Sequence, residues 1–202
     1  MIQIKEINNA ENKIIEGIVS IHMLAFKNFF LTFLGKEFLK HMYQSYILHS
    51  ESTIFVAQDE SNQIVGFVAC SKNMSNLYKF MIKKKLVQFA WYSWCALIRK
   101  PVIFMKLIKA FLKPNEVKRE ENYIEISSIG VHPECKSIGI GTLLLDEVKQ
   151  KMLDDTVEYI NLETDANNND DVNKFYLKNG FILFRKYETN EGRVMNEYRC
   201  SK

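Results

Sequence analysis

The sequence predicts an α/β protein of one domain, in which helices pack on a central sheet. Its 202 residues suit a single domain with a sizeable core. A composition of 47% hydrophobic and 25% charged residues is typical of globular chains. Segments with the two-residue period of strands alternate with segments at helical spacing, and strand and helix meet at a glycine-containing loop between Tyr123 and Leu145. These three observations favour strands and helices that share one core.

The N-terminal part of the chain is predicted as a strand, two helices and a hairpin. Residues 1–7 alternate between apolar and polar side chains, and apolar residues then recur at helical spacing up to Phe26. A second helix is predicted over residues 30–50, because its apolar residues recur every three or four positions. Two β-type runs, at 53–58 and 64–71, are joined by five polar residues, which is typical of a hairpin.

The C-terminal part is predicted to alternate between strands and helices. The predicted elements are a strand at 123–131, a helix at 141–155, a strand at 157–164, a short helix at 172–178, and strands at 181–187 and 194–200. The short helix is expected to end at Asn179-Gly180, because glycine is the preferred residue just beyond a helix. The last two strands are expected to form a hairpin.

A segment of about fifty residues, 73–122, interrupts this alternation. Residues 75–115 contain nine basic residues and no acidic residue. After Pro101, apolar residues recur at helical spacing with lysines opposite, which predicts an amphipathic helix. The apolar run at 86–98 is shorter than the roughly 20 residues that a membrane-spanning helix needs.

The loop after the strand at 123–131 is a candidate phosphate-binding site. His132-Pro133 ends the strand, and Gly139-Ile140-Gly141 lies where the helix starts. Such a junction points backbone N–H groups and the positive end of the helix dipole at one spot, which holds a phosphate without a metal. The spacing does not fit a dinucleotide-binding fingerprint, since Leu144 lies where a third glycine is needed, and the Gly-Lys-Ser/Thr of a Walker loop is absent.

Residues 131–144 resemble the acyl-CoA motif of the GCN5-related N-acetyltransferase (GNAT) superfamily. That motif is Gln/Arg-x-x-Gly-x-Gly/Ala, and here it is Lys136-Ser137-Ile138-Gly139-Ile140-Gly141. Lys136 replaces the usual arginine or glutamine, and it keeps the charge of arginine but lacks the planar fork. Ser137 replaces a frequent glycine, so its side chain costs about 1 kcal/mol if the loop requires a positive φ there.

A second segment resembles the same superfamily. The pattern Asn-x-x-Ala-x-x-Phe-Tyr-x-Lys-x-Gly-Phe is common in GNAT enzymes, and here it comprises Asn169, Val172 in place of alanine, Phe175, Tyr176, Lys178, Gly180 and Phe181. With two motifs in the family's order, the chain is identified as a member of the superfamily. The resemblance implies the GNAT fold, a central mixed β-sheet splayed near its middle and flanked by helices. It also implies a single domain of residues 1–202, with 73–122 as a helical insertion before the CoA-binding strand.

The resemblance implies an N-acetyltransferase that takes acetyl-CoA as cosubstrate, needs no metal, and acetylates a primary amine. This reaction requires an anchored pyrophosphate, a polarised thioester carbonyl, a deprotonated amine and a protonated thiolate. By resemblance, the loop from Lys136 to Thr142 anchors the pyrophosphate, and the backbone of Ile129 and Val131 pairs with the pantetheine arm. A β-bulge in that strand would leave an N–H group for the oxyanion. Phe175 is also assigned to the cofactor site.

Two catalytic roles follow from the resemblance. Glu125 lies eleven residues before Lys136, where histone-type members carry a glutamate general base; the alternative is a cross-strand ion pair. Its charge must face a cleft or water, because burying a charge is costly. Tyr176 matches the tyrosine that protonates the leaving thiolate, and the alternative is a buried structural tyrosine. Asn169 is expected to hydrogen-bond the CoA arm, to cap the following helix, or both.

The acceptor is expected to be a small-molecule amine. The lysine-rich insertion, interpreted as a helical lid, favours an anionic acceptor such as a nucleotide-linked amino sugar. In the alternatives, the lysines form a solvated face over an extra core layer, or they lie with Trp91 and Trp94 on an anionic membrane surface. A catalytically weak acyl-CoA-binding module is the alternative to an enzyme. The sequence leaves the oligomeric state open, with a homodimer among the options.

Charge and cysteine usage bound the other classes of function. A net charge of +3 is too small to indicate nucleic-acid binding. Cys70, Cys95, Cys135 and Cys200 form no C-x-x-C pair and have no histidine at ligand spacing, so neither a zinc site nor a disulfide framework is predicted. Cys135 is interpreted as a loop residue, since the sequence fixes no base beside it. No stretch near the N terminus has the features of a signal peptide, and a cytoplasmic location is expected.

Overall fold

The computed structural model describes residues 2–27, 29–99, 121–190 and 192–202. The strands are β1 (Gln3–Glu6), β2 (Ser52–Gln58), β3 (Ile64–Ser71), β4 (Tyr123–Val131), β5 (Tyr159–Asp165), β6 (Ile182–Glu188) and β7 (Val194–Ser201). The helices are α1 (Asn12–Ala25), α2 (Phe30–Phe33), α3 (Lys36–Leu48), α4 (Met74–Arg99), α5 (Ile140–Asp154) and α6 (Asp170–Lys178), with a 3-10 turn at Pro133–Cys135. Every predicted strand is present, with bounds that agree within two residues.

The single helix predicted over residues 30–50 is wrong, because the chain forms two helices there. α2 ends at Phe33 and α3 begins at Lys36. Between them Gly35 has a φ of +89°, a backbone conformation that glycine adopts readily and other residues avoid. The apolar spacing continues across this break, so periodicity alone does not reveal it.

The strands form one seven-stranded mixed sheet in the order β1-β2-β3-β4-β5-β7-β6. All neighbours are antiparallel except β4 and β5, which are parallel. In the described register, β4 and β5 pair only over residues 123–126 and 159–162. Beyond that point β4 continues beside β3 to Val131, and β5 continues beside β7 to Asp165. The sheet therefore splays at its middle, as the resemblance implied.

An apolar core lies on each face of the sheet. On one face α5 and α6 bury side chains such as Leu144, Val148 and Tyr176 against the strands. On the other face α1, α3 and α4 bury side chains such as Ile18, Tyr43 and Leu77. Burial of these side chains is the main source of stability in a chain of this size.

The described part of the insertion is helix α4, which is divided by non-helical backbone at Lys85. Leu77 and Met81, before that point, are buried in the α1/α3 core, and the ring of Phe89 lies 4.9 Å from the ring of Phe38. This part of α4 thus adds a layer to the core. None of the helices that the structure describes is both long and apolar enough to cross a bilayer. The amphipathic helix predicted after Pro101 lies outside the described residues.

Candidate active site

A cleft of about 420 Å³ opens where β4 and β5 separate. One side is formed by the diverging strands and by the start of α6. The other side is formed by the end of α1, the connection to α2, and the hairpin between β6 and β7. The lining residues used below are His22, Phe26, Phe29, Ser127, Ser128, Ile129, Glu163, Asp165, Asn169, Tyr176 and Arg193.

The expected bulge is present in β4 within this cleft. Ala69 of β3 pairs with Ser128, but the next residue, Cys70, pairs with Ile126, so Ser127 is the extra residue. The hydroxyl of Tyr46 donates to Ser127 Oγ at 2.6 Å, and Ser127 Oγ donates to the carbonyl of Ala69 at 3.1 Å. These bonds hold the bulge against α3 and β3. A bulge takes one residue out of the ladder, which is how a strand presents backbone groups to a ligand.

The first motif lies in the loop that leads from β4 to α5. Ser137 has a φ of +64°, so the condition under which its side chain costs about 1 kcal/mol is met. Gly139 has a φ of +89°, and a Cβ built there would meet nothing within 4 Å. No side chain caps α5 at Gly139, which leaves the first-turn N–H groups for a ligand.

Gly141 allows the ring of Phe175 to pack closely against the backbone of α5. A Cβ at Gly141 would lie 3.0 Å from Cζ of Phe175, so the ring of Phe175 lies directly on the first turn of α5. The two motifs, more than thirty residues apart in sequence, therefore contact each other. The described lining of the cleft does not include Val131, residues 136–142 or Phe175.

Tyr176 is buried in α6 and lines the cleft. Its ring lies 5.8 Å from the rings of both Phe181 and Tyr198, centroid to centroid. Burial raises the pKa of the Tyr176 hydroxyl well above its usual value of 10. The phenol therefore keeps its proton across the pH range of an assay.

Asn169 lies at the N-cap position of α6, as predicted, but its side chain makes no capping bond. Its Nδ2 donates instead to Thr164 Oγ1 at 2.8 Å and to the carbonyl of Asp165 at 3.1 Å. Asp170 and Asp171 occupy the first turn of α6, where the positive end of the helix dipole stabilises a negative charge. Asn169 thus ties the start of α6 to the diverging end of β5.

Glu125 lies in the part of β4 that pairs with both neighbouring strands. It lies opposite Ser71 and Asn161 in the sheet, is half-buried, and is absent from the described lining of the cleft. Burial, with a smaller contribution from the Glu125 carboxylate, raises the pKa of Tyr78 to about 12. The same carboxylate contributes to the raised pKa of Tyr46, whose main cause is burial. Glu125 therefore faces the α3 and α4 side, close to the tyrosine that holds the bulge.

Two carboxylates that the sequence analysis did not single out line the cleft. Glu163 follows Leu162, the last residue of β5 that pairs with β4, and it accepts a hydrogen bond from the Tyr187 hydroxyl at 2.6 Å. Asp165 is held by the guanidinium of Arg193, with both carboxylate oxygens at 2.9 Å from Nη2. The predicted alternation of β5 places the side chains of Glu163 and Leu162 on opposite faces of the sheet. It does not show that Glu163 lies where two strands separate.

His22 is a further residue of the cleft that the sequence analysis missed. It is buried, its Nδ1 lies 2.7 Å from the Tyr43 hydroxyl, and its Nε2 has no hydrogen-bond partner in the described part of the chain. Burial lowers the pKa of His22 from 6.5 to about 4. The imidazole is therefore neutral at physiological pH.

We expect His22 to make the folded state less stable in acid. Its pKa is lower in the folded than in the unfolded chain, so the unfolded chain takes up the proton first as the pH falls. The contribution of His22 to stability is full above pH 6.5 and is lost as the pH falls toward about 4, by about 3 kcal/mol. Urea unfolding at pH 7 and pH 4.5 should show a smaller loss for His22→Gln than for the parent. An equal loss in both proteins would contradict this account.

The described residues form no metal-binding site, and the cysteines whose side chains are described are unpaired thiols. No group of three or more histidine, cysteine, aspartate or glutamate side chains is placed there to hold a metal ion. Cys70 and Cys200 are buried free thiols, and Cys135 is a half-buried free thiol in the loop.

The sequence profile of the acetyltransferase (GNAT) family matches residues 17–181. No significant match is found among proteins with curated functions. Solved structures with the same fold include Arabidopsis thaliana NAA60 in complex with acetyl-CoA (17% identity, TM-score 0.59, covering 100% of this chain and 98% of that one). Others are the ribosomal-protein-S18-alanine N-acetyltransferase of Escherichia coli (12%, 0.59, 100% and 94%) and the IAA acetyltransferase of Bacillus cereus (14%, 0.53, 100% and 100%).

Proposed function

Because the chain belongs to the acetyltransferase (GNAT) family, we propose that it transfers the acetyl group of acetyl-CoA to a primary amine of a small molecule. The observation that carries the proposal is the cleft between β4 and β5, which joins a bulged strand edge to the buried hydroxyl of Tyr176. Similar structures solved with acetyl-CoA support the choice of donor.

The donor is held along β4 and the loop that follows it. Beyond Ile126 the described β4 has no partner on its β5 side, so this edge is open to an extended ligand. The pantetheine arm pairs with the backbone around Ile129 and Val131. The pyrophosphate sits over Gly139 and the uncapped start of α5, and exposed Lys136 adds a positive charge.

The transfer is a direct attack. The amine nitrogen forms a bond to the thioester carbon while the carbonyl electrons move onto oxygen, where a backbone N–H of the bulged strand stabilises the charge. The tetrahedral intermediate then expels the CoA thiolate, which Tyr176 protonates or stabilises by a hydrogen bond. The side chain of Asn169 supports the CoA arm at the start of α6.

A carboxylate must take the proton of the incoming ammonium, and the chain offers two candidates. Glu125 occupies the position that the resemblance assigns to the general base, but it is absent from the described lining of the cleft. Glu163 lines the cleft itself at the point where the strands separate. Its position favours Glu163 as the base, with Glu125 as the alternative.

Comparison of Glu163→Gln with Glu125→Gln tests this assignment. Loss of the base should lower kcat/KM most at low pH, where the amine is protonated, and by at least tenfold at pH 6. If Glu163 is the base, Glu163→Gln should show this loss and Glu125→Gln should not. The opposite order would return the role to Glu125, and parent-like profiles in both from pH 6 to 9 would exclude both.

The charge of the cleft bears on the acceptor. No described residue of α4 lines the cleft, so the proposed lysine-rich lid gains no support from this part of the insertion. Arg193, which also lines the cleft, pairs with Asp165, so Glu163 leaves the described charged side chains of the lining with a net negative charge. That charge favours an acceptor without negative charge near the reacting amine. The acceptor is therefore proposed as a small-molecule amine rather than an anionic amino sugar.

The function itself is tested by thermal shift and by release of free thiol. Acetyl-CoA should raise the melting temperature, because it binds only the folded state. Panels of polyamines, amino sugars, nucleotide-linked amino sugars and peptides should then yield thiol and an acetylated product with at least one member. Binding of acetyl-CoA without turnover on any amine would favour the catalytically weak acyl-CoA-binding module.

A further inference from the structure

The outer side of α4 exposes large apolar side chains next to lysines. Val87 is 80% exposed and Trp91 is 73% exposed, while Lys79 and Lys83 are exposed as well. Lys79 and Lys83 are four residues apart in the helical part before Lys85, and Val87 and Trp91 are four residues apart in the part after it, so each pair shares one face of its helical part. We call these four exposed residues the stripe. Leu77, Met81 and Phe89 on the other side pack into the core. The stripe is thus the side of α4 that the core does not use.

Charge is unevenly distributed between α4 and the rest of the chain. The sequence of α4 has five basic residues and no acidic residue. Because the net charge of the whole chain is only +3, the remainder of the protein is net acidic. The α4 sequence therefore carries a positive charge that the rest of the chain, taken together, does not share.

We propose that this stripe of α4 docks on an anionic phospholipid surface. Trp91 and Val87 enter the region between headgroups and acyl chains, where tryptophan is favoured because its ring is apolar and its N–H is polar. Lys79, Lys83 and Lys84 contact lipid phosphates, with their methylene stems along the apolar boundary. The protein lies on the membrane and does not span it.

The chemistry of the stripe favours lipid over a protein partner. Lysine is depleted in protein–protein interfaces, where tryptophan occurs in fully enclosed pockets. A helix with lysines beside an exposed tryptophan is typical of proteins that bind the plane of a charged bilayer. Long flexible lysines also match a partner whose charged groups are mobile.

Sedimentation of the full chain with lipid vesicles tests the proposal. The protein should sediment with vesicles that contain equal parts of phosphatidylserine and phosphatidylcholine, but not with phosphatidylcholine alone, and added salt should release it. Its two tryptophans both lie in α4, so their fluorescence should shift to shorter wavelength on the same vesicles. Replacing Lys79, Lys83 and Lys84 with glutamate should weaken binding at least tenfold, and Trp91→Ala should weaken it severalfold.

A second triple variant is the matched control. Lys5, Lys13 and Lys186 are exposed lysines of other elements, and replacing them with glutamate changes the net charge by the same amount. This control should bind anionic vesicles nearly as the parent does, and all variants should keep the thermal shift with acetyl-CoA.

Three results would overturn the proposal. One is equal sedimentation with both vesicle types. Another is equal loss in both triple variants, which would assign binding to net charge alone. The last is a vesicle-free dimer, seen by analytical ultracentrifugation, that Trp91→Ala dissociates, because the stripe would then be an interface between two copies of the chain.

Discussion

Replacing Gly139 with aspartate is expected to lower the affinity for acetyl-CoA at least a hundredfold. Gly139 lies at the uncapped start of α5, and the space around its missing Cβ is open. A carboxylate there would meet the pyrophosphate at close range, and like charges about 4 Å apart near a protein surface repel by roughly 4 kcal/mol. A hundredfold loss corresponds to about 2.7 kcal/mol, so repulsion alone is sufficient. Calorimetric titration with acetyl-CoA measures the effect.

Gly35→Asp is the matched control for this variant. Gly35 has the same φ of +89°, precedes α3 as Gly139 precedes α5, and also has no neighbour within 4 Å of an added Cβ. Gly139→Asp should lose roughly 1 kcal/mol of stability to backbone strain, and Gly35→Asp, with a ψ of 171° at that position, should lose about 1–3 kcal/mol. Only Gly139→Asp should lose the thermal shift with acetyl-CoA. Parent-like affinity in Gly139→Asp would remove the loop from the donor site.

Tyr176→Phe is expected to lower kcat at least tenfold while leaving the affinity for acetyl-CoA nearly unchanged. The substitution keeps the ring that packs against Phe181 and Tyr198 and removes only the hydroxyl. A general acid typically contributes a factor of one hundred or more, and a hydrogen-bond donor to the sulfur somewhat less. Steady-state thiol release gives kcat, and calorimetry gives the affinity.

Tyr198→Phe separates catalysis from packing. Tyr198 is buried in the same core, and its hydroxyl donates to Asn173 Oδ1 at 2.9 Å, but it is absent from the described lining of the cleft. Tyr198→Phe should therefore lower stability by about 1 kcal/mol and leave kcat close to that of the parent. If Tyr176→Phe keeps the parent's kcat, the tyrosine is a structural residue and the proton comes from elsewhere.

The fold and the donor site were largely predictable because their signals are local. A strand is indicated by apolar residues at every second position, and each predicted strand is found within two residues of its predicted bounds. The loop at residues 136–142 is contiguous, so its glycines and the positive φ of Ser137 could be anticipated from spacing and resemblance. The exception among the elements is the break at Gly35. Apolar residues keep their helical spacing on both sides of this glycine, so the sequence predicts one helix where the structure has two.

The sequence by itself determined the family, the mixed splayed sheet and the loop that we propose as the donor site, because each rests on short contiguous segments. Only the tertiary structure decided which side chains meet in the cleft. Glu125 and Glu163 both lie on predicted strands, yet the point where β4 and β5 part places Glu163 at the opening and leaves Glu125 toward α3 and α4. His22 joins the cleft through a contact with Tyr43, twenty-one residues away. Such contacts depend on strand register and helix packing, which no local pattern encodes.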